Sequence, residues 1–138
     1  MRVSQRLDYA LRAVVLLAGR SPGAYLSGTE IAMRLSVPQR VVEQQLTALA
    51  RAGILTSRPG AGGGHALARP ASEISVEQVV RAIQGGVADV PHTKNSATSQ
   101  MWQEVEAALA GHLRALDVAA LARRQAVLDR HAVADYSI

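Results

Sequence analysis

Two helix signatures separated by a few residues constrain this chain more than any other feature. "LSGTEIAMRLSV" opens with Ser27 and Glu30 in the S-x-x-E spacing of a capping box, followed by Ile31, Ala32 and Leu35. That pattern predicts a short helix of about two turns, closing near Leu35. "SVPQRVVEQQLTALARAG" follows at once, with Ser36 as a candidate cap and Pro38 suited to the first helical turn. Val42, Leu46 and Leu49 form its inner stripe, and Gly53 supplies the stop. Two helices so closely joined make a helix-turn-helix.

Residues 4–19 place Leu7, Ala10, Leu11, Val14, Leu17 and Ala18 at spacings of three and four, which predicts an amphipathic helix ended by "GRSPG". Beyond Gly53, "ILTS" (54–57) and "HALA" (65–68) flank a glycine-rich loop and read as a hairpin. "ISVEQVVRAIQGG" adds a helix with Ser75 and Gln78 as its capping pair and Val76, Val79, Val80 and Ile83 inside. Periodicity then lapses over "GGVADVPHTKNSATS" (85–99). It resumes with Trp102, Val105, Leu109, Leu113 and Leu116, among small residues at Ala107, Ala108, Ala110 and Gly111. Asp117 can cap a last helix holding Val118, Leu121 and Leu128, its final ten or so residues expected to fray.

The chain has 138 residues, no Phe and one Trp, so its core must be built from Ala, Leu, Val and Ile, a composition that favours packed helices. It has no Cys, which excludes disulfides, thiol nucleophiles and cysteine-ligated metals. Residues 1–84 hold ten Arg against five Asp or Glu, a net of +5, while residues 85–138 hold five basic and six acidic residues, a net of −1. A basic first segment points to an anionic partner, and Arg suits forked contacts with phosphate or guanine. "AVVLLAG" (13–19) is far shorter than the roughly 20 apolar residues of a membrane span, and Asp8 and Arg12 interrupt its approach. It reads as the buried side of a helix, and a cytoplasmic protein is expected, with no membrane partner.

The loop "SRPGAGGGHAL" (57–67) decides between enzyme and binding protein. A P-loop needs G-x-x-x-x-G-K-[ST], and a dinucleotide loop needs G-x-G-x-x-G between a strand and a helix. Here G-A-G-G-G is followed by "HALARP", so neither context holds. There is also no G-x-S-x-G elbow or His-Glu metal motif, and no enzyme is expected. The order helix, helix-turn-helix, hairpin, helix makes the loop the wing of a winged helix-turn-helix. Glycines at Gly60, Gly62 and Gly63 let its tip turn tightly and bring N–H groups to phosphate oxygens. An Arg beside them can enter the minor groove.

These residues resemble a family. "SQRLDYALRAVVLLA", "SGTEIAMRLSVPQRVVEQQLTALARAGIL", "GGGHALARP" and "ISVEQVVRAIQG" are similar, in order and spacing, to the IscR, NsrR and CymR type of bacterial winged-helix regulator, the Rrf2 family. "MWQEVEAALAGHLRALDVAALA" resembles that family's long dimerisation helix and the short helix after it. The likeness runs to about residue 125. It implies a mainly α fold with a small β-hairpin: a winged helix-turn-helix over 1–84, a linker or sensor loop over 85–99, and dimerisation and C-terminal helices over 100–138. It implies a homodimer on double-stranded DNA with a roughly palindromic operator, usually a repressor. Trp102, Val105, Leu109, Leu113 and Leu116 become its dimer interface.

By the same resemblance, Pro38, Gln39, Arg40, Glu43 and Gln44 open the recognition helix. Arg can read guanine, Gln adenine, and Glu can accept from cytosine. Ser4, Arg6 and Thr29 match backbone-contacting positions. In the wing the family commonly has Arg-Gly where this chain has Pro59 and Gly60, and Tyr where it has His65. Arg58 therefore lies one residue early; either it reaches the minor groove along a shifted path, or wing readout is weaker. Better-known relatives hold an iron–sulphur cluster through three cysteines in the region that here reads "GGVADVPHTKNSATSQ". Such clusters rest on thiolates, so one bound that way is excluded, and no cofactor is expected.

Asp8 matches a non-cysteine ligand position, but His65, His92, His112 and His131 show no paired metal spacing. A small-molecule effector, a partner protein or no signal at all stays open, as does oxidation at Met33 or Met101. Trp102 reads as a core anchor, or as the lining of a pocket beside the loop. Two alternatives to a DNA-binding regulator remain: a winged helix turned protein-interaction module, and a sensor with unusual non-cysteine metal ligands.

Overall fold

The computed structural model describes residues 1–136, as six helices and one antiparallel hairpin. Helix α1 (Gln5–Ala18) is capped by Ser4 Oγ, which accepts from the Leu7 N–H at 3.2 Å. Helix α2 (Gly28–Leu35) is capped by Ser27, whose Oγ accepts from the Glu30 N–H at 3.1 Å. The reciprocal half of the expected capping box is absent, because the Glu30 carboxylate pairs with Arg34 one turn on. Helix α3 (Gln39–Arg51) begins at Pro38, which has no side-chain cap to offer. Ser36, expected to cap α3, instead ends α2 in the left-handed region at φ 55°. That turn lets the Val37 N–H reach the Ala32 carbonyl at 3.0 Å and buries the Val37 side chain.

Strand β1 (Leu55–Arg58) pairs with β2 (Gly64–Leu67), Leu55 opposite Leu67 and Arg58 opposite Gly64. A 3₁₀ turn (Ala71–Glu73) leads to α4 (Val76–Gln84), where Ser75 and Gln78 form the full capping box. Helix α5 (Ala97–Ala115) and helix α6 (Val118–Tyr136) complete the chain. Asp117 caps α6 by accepting from the Ala120 N–H at 2.7 Å. The final residues described are helical rather than frayed, and Leu128 is exposed rather than inside. No helix among the described residues is long and apolar enough to cross a membrane.

One core joins these elements. Ala10, Val14 and Leu17 of α1 meet Ile31 and Leu35 of α2, Val42, Leu46 and Leu49 of α3, and Val79 of α4. Val118, fully buried at the start of α6, reaches the same core, so the last helix lies back on α1. The fully buried side chains of this space are aliphatic, from Ala to Leu and Ile, with the Tyr9 ring packed against them from the edge. The α5–α6 junction is also pinned by backbone: the Val76 N–H donates to Leu116, and the Val118 N–H to Ile74, at 2.8 and 2.9 Å.

Candidate nucleic-acid interface

The α2–α3 turn sets the direction of the second helix. Pro38 leaves the first N–H groups of α3 uncapped by any side chain, and Gln39, Arg40 and Gln44 stand exposed on its opening turns. None of the three makes a side-chain hydrogen bond or ion pair within the described residues. Glu43 differs. Its carboxylate lies where a Cβ on Gly28 would have to be, against the first residue of α2. A carboxylate at a helix amino end meets the positive end of the helix dipole, and only glycine leaves it room there. Thr29 is exposed on the first turn of the same helix.

The wing is bonded to the segment that leads into α2. Leu26 and His65 exchange backbone hydrogen bonds of 2.8 and 2.9 Å, which adds a short third edge to the hairpin. Gly64, at φ 124°, permits this approach, since a Cβ there would collide with the Leu26 carbonyl. Across the loop, Gly63 donates to the Gly60 carbonyl at 3.1 Å, and Gly60 and Gly62 both take left-handed φ. Gly63 is buried, and a Cβ on it would strike the Arg58 and Pro59 carbonyls. The glycines thus serve tight turning and close packing. His65 is half-buried, its Nδ1 3.0 Å from Ser57 Oγ across the hairpin.

Arg58, last residue of β1, is exposed and stacks over the Tyr25 ring at 4.3 Å from its centroid. Tyr25 was not among the residues singled out from the sequence. Its only local signal is an aromatic just ahead of the Ser27 cap, and the contact spans more than thirty positions of chain. Ser4 is half-buried and committed, capping α1 and donating to Gln84 Oε1 at 3.3 Å. Arg6 is exposed. The ion pairs of the described residues involve only Arg34, Arg81 and Arg114, so Arg6, Arg40 and Arg58 keep their charge uncancelled.

On α5 the helical stripe divides. Leu113 and Leu116 pack within the chain against Leu7, Val76 and Val80, and Leu109 is partly buried. Trp102 and Val105 are 46% and 50% exposed, so the tryptophan is no core anchor of this chain. Beneath this helix, Glu77 of α4 is buried and takes two bonds of 2.9 Å from Arg114 of α5, with Arg81 at 3.2 Å. The Arg114 guanidinium holds the Glu77 carboxyl below its ordinary value against the opposing effect of burial, with help from Arg81.

The segment 85–96 does not fit an iron–sulphur cluster. The chain has no thiolate, and among the described residues no three His, Asp or Glu side chains gather as a metal site. Asp8 and His92 are both exposed. Hydrogen bonds close this segment instead. Buried Ser99 Oγ donates to the Pro91 carbonyl at 2.6 Å and accepts from the Thr93 N–H at 2.9 Å, while Gln103 Nε2 also donates to Pro91.

Residues 3–124 match the family model described as Rrf2, iron-dependent transcriptional regulator. The helix-turn-helix-type transcriptional regulator IscR of Cereibacter sphaeroides is 31% identical over 121 residues, covering 78% of this chain and 77% of its own. Among solved structures, IscR of T. potens superposes with a TM-score of 0.77 at 26% identity, over 91% of this chain and 88% of that one. CymR, the global cysteine regulator of B. subtilis, shares the fold with a TM-score of 0.80 at 23% identity, over 90% and 98%. These relatives are transcriptional regulators and not enzymes.

Proposed function

The chain belongs to the Rrf2 family of DNA-binding transcriptional regulators, and on that premise we propose that it is a homodimeric repressor of a near-palindromic operator. The observation that carries this reading is the bare amino end of α3, where Gln39, Arg40 and Gln44 have no partner within the described residues. Side chains of these types, on the second helix of a helix-turn-helix, match the donor and acceptor pattern of major-groove base edges. Arg6, Thr29 and Arg58 are the exposed groups that would hold the flanking backbone, Arg58 from the base of the wing. Gly60 and Gly62 keep the wing tip narrow, and Ser4 acts at one remove by fixing the start of α1. Glu43 supports the α2–α3 geometry from its seat on Gly28.

Trp102 and Val105 supply the apolar surface for a second copy, flanked by Leu109. A two-fold dimer sets half-sites about one helical turn apart, on the order of 10 bp centre to centre. Repression is the simplest consequence, since a protein seated on its operator excludes other proteins from that DNA. The site of action is the cytoplasm. With no thiolate to hold a cluster, this reading takes a small molecule or a partner protein as the signal, ahead of methionine oxidation.

The test is binding of the colourless protein to its own upstream DNA, titrated with salt and with random competitor. Specific binding by a species that sediments as a dimer, weakening steeply with salt, is expected. Equal affinity for random DNA, or a monomer on the DNA, would overturn the reading.

A further inference from the structure

We infer that the cleft between the end of α1 and the outer end of β2 is a binding site for a small apolar molecule bearing one carboxylate. The cleft measures about 450 Å³, within the general range of ligand pockets, on the order of 300–1,000 Å³. Leu17, Ala66, Pro70 and Ala71 supply apolar wall, and Arg20 and Arg69 are its charged residues; no carboxylate lines it. Arg20 is the unusual member. It is half-buried, its Nε is shut off from solvent with no hydrogen-bond partner, and it joins no ion pair among the described residues. Asp129 lines the neighbouring cleft on the far side of Arg20, but bonds to Gln125 at 2.9 Å.

A guanidinium held partly out of water without a counter-charge is costly, and an anion beside it removes that cost. Arg69 adds a second fork and is itself only weakly engaged, by the Glu73 carbonyl at 3.4 Å. Two arginines beside an apolar wall select a carboxylate joined to a hydrocarbon body over either part alone. The position also suits an effector. Residues 20–24 form one side of the cleft and run directly into Tyr25, which carries Arg58, and Leu26, which bonds the wing.

Octanoate is the probe and octanol its uncharged control, titrated calorimetrically into the full chain without DNA. One octanoate per chain, bound at least tenfold more tightly than octanol, is expected. Arg20→Gln and Arg69→Gln should each remove most of that preference while leaving octanol unchanged. Arg20→Gln should also melt no lower than the parent, because it deletes an unpaired charge. Failure of octanoate to bind, equal binding of octanol, or an octanoate affinity indifferent to both substitutions would overturn the site. The measurement needs no DNA, so it fails or succeeds separately from the DNA-binding reading, on which only the effector's consequence rests.

Discussion

The guanidinium of Arg58 lies 4.3 Å above the centroid of the Tyr25 ring, joining the base of the wing to the segment that enters α2. The contact limits the directions the arginine can take, and the ring face is what it uses. Tyr25→Phe should therefore leave DNA affinity nearly unchanged. Tyr25→Ala should weaken binding to every sequence alike by about two- to fivefold, from the ~0.5–1 kcal/mol of an exposed cation–π contact. Filter binding on operator and random DNA separates the cases; equal losses in both variants would show that the hydroxyl matters instead of the ring.

Arg40 and Arg58 should fail differently. Arg40→Ala should cost about 1–3 kcal/mol on the operator and relax preference at one base, as loss of a guanine contact does. Arg58→Ala should weaken all sequences and lower the salt slope by about 1, as loss of a phosphate contact does. Selection from a randomised operator library reads the first effect, and affinity against salt reads the second.

Gly28→Ala should displace the Glu43 carboxylate, which occupies the place of the new methyl group. The displaced group is the far end of a flexible side chain, so the expected loss in stability is small, within about 1 kcal/mol, while operator specificity is altered through Glu43. Glu43→Ala in the same background should restore most of the stability, measured by urea unfolding. Two additive losses would place the strain elsewhere.

Glu77 makes the packing of α5 on α4 sensitive to acid. Its folded carboxyl titrates below its ordinary value near 4.5, chiefly because Arg114 bonds to it, so its contribution is complete above that value. That contribution fades as pH falls through the lowered folded value, since the unfolded chain then binds the proton more readily. Arg114 is shifted upward and stays charged throughout this window. Glu77→Gln should be less stable than the parent at pH 7, with the difference shrinking steadily below pH 4.5. Thermal unfolding against pH checks it, and a difference independent of pH would remove the ion pair as its cause.

The helices, the hairpin and their order are written in the sequence. Capping pairs such as Ser75 with Gln78, and apolar spacings such as Val42, Leu46 and Leu49, are local signals, set within a turn or two of chain. It also ruled out a cysteine-held cluster, because that is a matter of which atoms exist. The exposed face of Gln39, Arg40 and Gln44 was legible too, as the side of α3 opposite its apolar stripe.

Relationships between segments distant along the chain are not written in the sequence. Tyr25 under Arg58, Glu43 against Gly28, and Glu77 between Arg81 and Arg114 depend on how helices and hairpin dock. Ser36 shows the limit even locally: its hydroxyl suited a cap for α3, but the tight turn after α2 needed a left-handed residue and took it. Trp102 shows it across the whole chain. Periodicity put it on the apolar side of α5, yet within that stripe Leu113 and Leu116 pack against Val76 and Val80 of α4, and the ring is left at the surface. Spacing along a helix gives the side a residue lies on; what that side meets is set by packing between elements.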